Sequence, residues 1–254
     1  MDFEKLRSWF ENYKKYSIHL TESRIKGDLE KFKNLLSNFV NYQNKVNEEY
    51  RVTAPDYNVF YLLNYVIDKE KITHSPFLAD LLNIKGSHKQ GNLFYDEFLM
   101  QLKHTGLFDK FVVSENKIFF SVVTEKWIGD GFIDIFIEYN SPNRRFAIAI
   151  ENKIFAKDQP KQLERYATFL EREFRNDFLL LYLTPQERLP EMPYSITKER
   201  YDELEKKNLI KLITYKKHIF SLLENTIEKI IPHQVKSNTK QYLQIIKNNF
   251  RNDY

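Results

Sequence analysis

The tripeptide Glu151-Asn152-Lys153 ends an apolar run and combines a carboxylate with an ammonium group. Side chains alternate along a β-strand, so Glu151 and Lys153 are expected on one face of the strand and Asn152 on the other. A second carboxylate, Asp134, lies within the apolar segment FIDIFI of the preceding predicted strand. A hairpin turn centred near Pro142 would place Asp134 almost opposite Glu151. The spacing therefore predicts three charged groups on one patch of a sheet.

These residue types suit phosphodiester hydrolysis. Two carboxylates and the main-chain carbonyl of Asn152 are hard oxygen ligands of the kind that Mg²⁺ or Mn²⁺ prefers. Such a metal polarises a phosphate and activates bound water, while Lys153 would orient the water or stabilise negative charge. The alternative is a surface ion pair, which is the commoner explanation of isolated charges. Apolar neighbours favour a site, because a charge among them is costly unless it is paired or binds a cation.

The elements that must position these residues follow from the apolar periodicity. Residues 1–55 are expected to form an N-terminal helical extension of two helices, and residues 56–254 a single α/β domain with a mixed sheet and C-terminal helices. A cap at Asp158-Gln159-Pro160 is predicted to open a helix after the third strand. Further helices are expected at 58–66, between 75 and 102, at 198–207 and at the C-terminal end, with strands at 117–127, 132–139, 144–154, 178–184 and 209–215.

Composition narrows the classes of function. The chain has no cysteine, which excludes disulfides, thiolate zinc sites and cysteine nucleophiles. The net charge of +4 is compatible with a nucleic-acid partner without requiring one. No apolar stretch approaches eighteen residues and the N-terminus lacks a secretory pattern, so the expectation is a cytoplasmic protein with no membrane partner.

The predicted site residues and the segments around them resemble those of a known family. Asp134 followed by Glu151-Asn152-Lys153 looks like the PD-(D/E)xK nuclease motif, and GFIDIFIEY…FAIAIENKIFAKDQPKQLERY is similar to one of its bacterial branches. The resemblance runs from about His74 to Leu183. Where the family motif has a proline, this chain has none before Asp134, but a proline supplies no catalytic atom. The resemblance implies a restriction-endonuclease-like core, a central mixed sheet flanked by helices in αβββαβ order.

The Gln-x-x-x-Tyr pattern formed by Gln162 and Tyr166 is similar to a motif of RecB-type members of the superfamily. The two positions are one helical turn apart and share a face. The resemblance implies that Gln162 positions Lys153 or a phosphate, and that Tyr166 contacts the DNA backbone or a base; Gln159 is a weaker candidate for substrate binding. The alternative is a polar pair on an exposed helix face.

Upstream, His74-Ser75 resembles a His-Ser signature of the same branch, and Glu125 stands where such proteins carry an acidic residue. The resemblance implies that His74 and Ser75 contact substrate and that Glu125 is a further metal ligand. A lone histidine at a helix start is more often a cap or surface residue, which is the alternative for His74. Glu70 is a weaker candidate, and His88 is interpreted as a turn residue.

Basic residues are scattered in pairs, which usually lie on a solvated surface. Arg144-Arg145 is expected at the tip of the hairpin, beside the proposed site, and is the pair proposed to contact phosphate. The other pairs are Lys14-Lys15, Lys206-Lys207 and Lys216-Lys217.

The leading hypothesis is thus a Mg²⁺-dependent or Mn²⁺-dependent nuclease that hydrolyses DNA, with RNA not excluded, in defence against foreign DNA or in repair. A nuclease fold that binds nucleic acid or a protein without turnover is the alternative, and a structural protein whose acidic residues only make ion pairs is a third. The N-terminal extension could form a homodimer, clamp DNA or pack on its own domain.

Overall fold

The computed structural model describes residues 3–54, 73–102, 108–113 and 117–251. The chain divides into two compact units, Met1–Tyr50 and Arg51–Tyr254. The first is formed by a single helix, α1 (Phe3–Thr53), so the prediction of two helices was wrong. The region holds no proline and one glycine, Gly27, whose cost inside a helix of about 1 kcal/mol is too small to break it. The helix predicted at 58–66 lies outside the described residues.

The second unit alternates helices with five strands in its described part. After the last residues of α1, the described helices of this unit are first α2 (Ser75–Leu82), α3 (Leu93–Leu102) and the single turn α4 (Phe108–Phe111). Three consecutive strands follow, and after them helices alternate with the last two strands before the C-terminal helices. These elements are β1 (Phe120–Trp127), β2 (Phe132–Ser141), β3 (Arg144–Asn152), α5 (Gln162–Phe174), β4 (Phe178–Thr184), α6 (Lys198–Lys206), β5 (Ile210–Thr214), α7 (Phe220–Ile227) and α8 (His233–Ile246). π-helical turns at Tyr215–Ile219 and Lys247–Arg251 precede α7 and follow α8.

The strands form one sheet in the order β1-β2-β3-β4-β5. β1, β2 and β3 pair antiparallel, whereas β3, β4 and β5 run parallel. The parallel part requires crossovers, which α5 and α6 supply. This arrangement confirms the predicted mixed sheet flanked by helices.

Alternation along β3 divides the core into two layers. Ile148 and Ile150 pack in a cluster that includes residues of α2, α3, α7 and α8. Ala147 and Ala149 belong to the cluster on the opposite face, which includes residues of α5 and α6. Every residue of β4 is buried, as expected for a strand covered on both faces. The end of β3 therefore directs consecutive side chains into two different helical layers.

Within the described ranges, the helices are either too short or too polar to traverse a lipid bilayer.

Candidate active site

The ends of β2 and β3 bring the two predicted carboxylates together. Ile135 pairs with Ile150, so the next step of the same register places Asp134 opposite Glu151. On the other side, Glu125 of β1 lies opposite Asp134, between the pairs that Thr124 and Lys126 make with β2. Glu125 has a left-handed backbone with a φ of 51°, which interrupts the regular β1 conformation at this point. Three acidic residues thus follow one another across three strands.

The Glu151 carboxylate has two different oxygens. Oε1 lies 2.8 Å from Lys153 Nζ and accepts a hydrogen bond of 2.8 Å from Gln162 Nε2. Oε2 is buried and has no hydrogen-bond partner among the residues that the structure describes. Burial raises the pKa of the Glu151 carboxyl, and the Lys153 ammonium opposes that rise. An orphaned carboxylate oxygen is costly in a protein interior, which makes Oε2 a natural ligand for a cation.

The Asp134 carboxylate is joined to the next strand through the main chain. Asp134 Oδ2 accepts a hydrogen bond of 2.8 Å from the Asn152 N–H. Burial and the neighbouring Glu151 carboxylate hold the pKa of Asp134 well above its usual range, and the Asn152 hydrogen bond opposes this. Two carboxyl groups are therefore held close together in a poorly solvated place, an arrangement typical of functional sites.

Helix α5 supplies Gln162 and Tyr166, which lie on its buried side rather than on an exposed face. Gln162 Nε2 reaches the Tyr166 hydroxyl at 3.1 Å as well as Glu151, and its Oε1 accepts from the Gln159 N–H at 3.2 Å. The Tyr166 hydroxyl donates to the Phe132 carbonyl oxygen. The observed contacts favour a role for Gln162 in positioning Glu151. A contact of Tyr166 or Gln159 with DNA stays a prediction.

The start of α5 is held by the loop at 185–197 and not by the cap predicted at Asp158. The N–H groups of Lys161 and Glu164 donate to the carbonyl oxygens of Tyr194 and Ser195 at 2.7 and 3.2 Å. Lys161 occupies the N-cap position and makes no side-chain cap. The predicted cap was wrong because the Asp158 carboxylate is engaged elsewhere.

The buried Asp158 carboxylate accepts the Tyr182 hydroxyl at 2.7 Å and the Glu191 N–H at 2.8 Å. Tyr182 stands on β4, and Glu191 lies in the loop that holds the start of α5. Asp158 thus fastens this loop to the sheet and so supports the position of Gln162. The sequence offered no signal for this role beyond the polar character of the loop.

A second polar cluster lies on the other face of β3, in the layer of α2 and α8. Asn152 Nδ2 donates to the Ser75 hydroxyl, and the Tyr215 hydroxyl donates to Asn152 Oδ1, each at 3.1 Å. The adjacent His74 Nδ1 lies 2.7 Å from the Tyr242 hydroxyl. All five side chains are buried. A contact of His74 and Ser75 with substrate stays a prediction, whereas the observed contacts anchor Asn152.

Two tyrosines of this cluster, Tyr215 and Tyr242, were not predicted from the sequence. Tyr215 is 63 residues from Asn152, and Tyr242 is 168 residues from His74. Both tyrosines are buried, and a buried aromatic residue is ordinarily interpreted as part of the core. No local pattern could have indicated the pairing.

The interpretation that Arg144-Arg145 lies beside the site was wrong. Both residues begin β3, whereas Glu151 is the next-to-last residue of the strand, and six residues of strand span about 20 Å. Arg145 pairs with Glu138 at 3.1 Å, and Arg144 donates to the carbonyl oxygens of Lys110 and Val112. A contact with phosphate at that distant end stays a prediction. Glu70 lies outside the described residues.

The residues present suit a hard divalent cation. The candidate ligands are the carboxylates of Asp134 and Glu151, with the main-chain carbonyl of Asn152. Within the described ranges, no group of three or more histidine, cysteine, aspartate or glutamate side chains is gathered as a ready-made metal cluster, so Glu125 does not complete one. Oxygen ligands, among them the buried Glu151 Oε2, suit an ion such as Mg²⁺ that keeps several of its coordinated water molecules.

The crowding of Asp134 predicts that Asp134→Asn stabilises the chelator-treated protein. Because the pKa of Asp134 is raised in the folded state, its ionised form destabilises the fold at neutral pH, and asparagine keeps the acceptor for the Asn152 N–H. We expect the free energy of unfolding to rise by about 1 kcal/mol in urea denaturation. Glu138→Gln, on the same strand, is the matched control and should not stabilise the protein. A fall for Asp134→Asn, or an equal rise in the control, would contradict this account.

No curated protein matches this chain. Among solved structures, the EndoMS–dsDNA2 complex matches at 17% identity over 37% of this chain and 36% of that chain, with a TM-score of 0.24. The MspJI restriction endonuclease with a 27-mer oligonucleotide matches at 14% identity over 65% of this chain and 37% of that chain, with a TM-score of 0.22.

This chain thus spans little more than a third of either protein, and TM-scores this low carry no argument about function. The family model covers more of the chain, because it matches residues 57–248, which include both halves of the motif and the helices on either side. The chain belongs to the PD-(D/E)XK nuclease superfamily.

Proposed function

We propose that this protein is a nuclease that hydrolyses phosphodiester bonds of DNA with the help of a divalent cation, Mg²⁺ or Mn²⁺. The observation that carries the proposal is the buried Glu151 carboxylate, which lies opposite Asp134. Its Oε1 is bonded to Lys153, and its Oε2 has no hydrogen-bond partner in the part of the chain that the structure describes. Membership of the superfamily supports the reaction class.

The proposed ligands of the cation are Asp134, Glu151 and the carbonyl oxygen of Asn152. When bound, the ion would polarise the scissile phosphate, activate a water molecule and offset charge on the leaving oxygen. The carboxylates would lose their mutual repulsion, because a positive charge between them stabilises both ionised forms. Glu125 stays a candidate for an additional, water-mediated contact.

The chain's own residues orient the reacting groups. Lys153 can turn its ammonium from Glu151 toward an attacking water or toward the charge that develops on the phosphoryl oxygens. Gln162 holds Glu151 Oε1 in place, so that Oε2 keeps its direction. Asp158 and the loop at 185–197 hold α5, and therefore Gln162, against the sheet. Hydrolysis by a positioned water needs no covalent intermediate.

The resemblance to this branch of the superfamily supports a role in defence against foreign DNA or in repair, both on cytoplasmic DNA. RNA is a second substrate to be tested. Binding of DNA with no cleavage under any metal condition would instead favour the inactive nuclease-fold module.

Loss of the Lys153 ammonium is expected to abolish cleavage. Lys153→Ala should lower the rate of DNA nicking or degradation with Mg²⁺ or Mn²⁺ by at least about a hundredfold, because a positioned cation that stabilises developing charge contributes on that scale. Gel-based cleavage on single-stranded and double-stranded DNA measures the rate. Lys198→Ala, an exposed lysine of α6, is the control and should cleave normally. Undiminished cleavage by the Lys153 variant would sink the assigned mechanism.

Metal binding is expected to depend on the two opposed carboxylates. Titration calorimetry with Mn²⁺ should show binding to the wild-type protein and a loss of affinity of at least about tenfold in Asp134→Asn and Glu151→Gln. Glu203→Gln removes an exposed carboxylate of α6 and should leave Mn²⁺ binding unchanged. Equal Mn²⁺ affinity in all four proteins would rule out this ligand set.

Tyr215 is proposed as a positioning residue that acts through Asn152. Its hydroxyl holds the Asn152 side chain, and the main chain of the same residue binds Asp134 and offers the proposed ligand carbonyl. Tyr215→Phe should lower kcat about tenfold while KM stays constant, the scale on which outer partners of a metal site act. Tyr95→Phe removes another buried hydroxyl, bonded to the Phe111 carbonyl, and is the control for stability. Equal kcat values for the two variants would leave Tyr215 with a structural role only.

A further inference from the structure

Helix α1 carries a seven-residue repeat that the proposed nuclease site does not use. From Ile25 to Tyr50 the positions of this seam are spaced alternately by four and three residues, and all of them are apolar except Gln43. The central positions of this seam are Leu29, Phe32, Leu36, Phe39 and Gln43. A strict seven-residue repeat keeps one face of a helix turned toward a partner that winds around it.

The opposite face of the same stretch is entirely different. Apart from Gly27, the positions farthest from the seam hold only polar residues. They are Glu30, Lys31, Asn34, Ser37, Asn38, Asn41, Asn44, Lys45 and Glu48. Their four charges are Glu30, Lys31, Lys45 and Glu48, which sum to zero. The stretch therefore has one apolar seam and one neutral, polar face.

The seam is uncovered within its own unit. α1 forms the whole of the described part of that unit, residues 3–50, so the unit offers no second element to pack on the seam. Phe32 is 58% exposed and Phe39 is 55% exposed. A single helix gains most of its stability from packing its apolar face, and a large exposed apolar patch marks an interaction surface.

We propose that residues 25–50 of α1 form a parallel, in-register, two-stranded coiled coil with a second copy of this chain. The seam fits a helix with the same period, because each seam side chain inserts between four side chains of the facing helix. A second copy supplies that period without adjustment, and a twofold axis is the commonest symmetry of homo-oligomers. At 1.5 Å per residue the paired stretch would be about 39 Å long.

Charges beside the seam favour the parallel orientation. In a parallel pair, the residue that directly precedes every second seam position, such as Leu29 or Leu36, faces the residue five positions later in the partner helix. Asp28 would then face the partner's Lys33, and Leu35 would face the partner's Val40. In the structure Asp28 lies 3.6 Å from Lys31 of its own helix, but both side chains are exposed and such a pair is weak.

The antiparallel alternative matches less well. With the two seams fully overlapped, Asp28 would lie near the partner's Glu49, a like charge. Gln43 gives a second argument, since a polar residue in the seam specifies register when it meets its own copy. Only the parallel, in-register pair places Gln43 beside the partner's Gln43, where the two amides can hydrogen-bond.

Other occupants fit the seam poorly. A DNA backbone requires a basic surface, and an apolar seam offers phosphate nothing. Helices that lie on membranes carry a polar face rich in lysine and arginine, whereas the polar face here is neutral and rich in asparagine. A second copy is the occupant that the pattern favours.

Sedimentation analysis of the full chain in a dilution series tests the interface. The wild type should sediment as two chains, and Phe32→Glu with Phe39→Glu should sediment as one chain at concentrations at which the wild type is fully paired. The control is Asn34→Glu with Asn41→Glu, which adds the same charge on the polar face and should stay paired. A wild type of one chain throughout, an assembly larger than two chains, or a seam variant that still pairs would each overturn the proposal.

A disulfide tests the orientation, because the chain has no cysteine of its own. Gln43→Cys should form a covalent dimer on oxidation, since the two introduced thiols would meet across the twofold axis. Asn41→Cys, on the polar face, should remain a single chain under the same conditions. Failure of the Gln43→Cys variant to cross-link, or equal cross-linking of both variants, would overturn the parallel, in-register pairing.

Discussion

The burial of the Glu151 carboxylate is the constraint around which this domain is arranged. A carboxylate removed from water destabilises a fold unless donors surround it, and here Lys153 and Gln162 both contact one of its oxygens. The other oxygen has no donor among the described residues. The fold thus leaves one strong acceptor unsatisfied next to the second carboxylate of Asp134. In a member of the PD-(D/E)XK nuclease superfamily, this acceptor is well suited to a divalent cation.

The alternation of β3 explains why the whole domain is needed to hold so small a site. Glu151 and Lys153 point toward the α5 layer, and Asn152 points toward the layer of α2 and α8. Each layer therefore fixes the end of the strand from its own side. The loop at 185–197 supports one side through α5, and Tyr215 supports the other. Elements far apart in the chain contribute because consecutive residues of a strand face opposite ways.

Helix α1 obeys a different physical rule from the rest of the protein. The domain buries its apolar side chains in two layers around a sheet, whereas α1 leaves a regular seam of them exposed. A helix with that pattern gains its stability by association. The proposed pairing would give each assembly two nuclease domains.

The sequence by itself determined the features that depend on near neighbours. The alternation of FAIAIENK, the short turn at Pro142 and the apolar run of β4 were sufficient to predict these strands, the hairpin of β2 with β3 and the meeting of Asp134 with Glu151. The alternation of side chains along a strand and the register of a hairpin depend on only a few neighbouring residues, so both can be inferred without tertiary information. The seam of α1 is local in the same sense.

Only the tertiary structure decided which distant groups complete the site. It brought Tyr215 into contact with Asn152. It also showed that Asp158, predicted as a helix cap, instead binds the loop at 185–197. It also placed Arg144 and Arg145 at the end of the hairpin that is distant from Glu151. Residues that are close in sequence lie far apart in space when they occupy opposite ends of one extended strand. These contacts arise from the packing of elements separated by tens of residues, and no local pattern encodes a pairing between them.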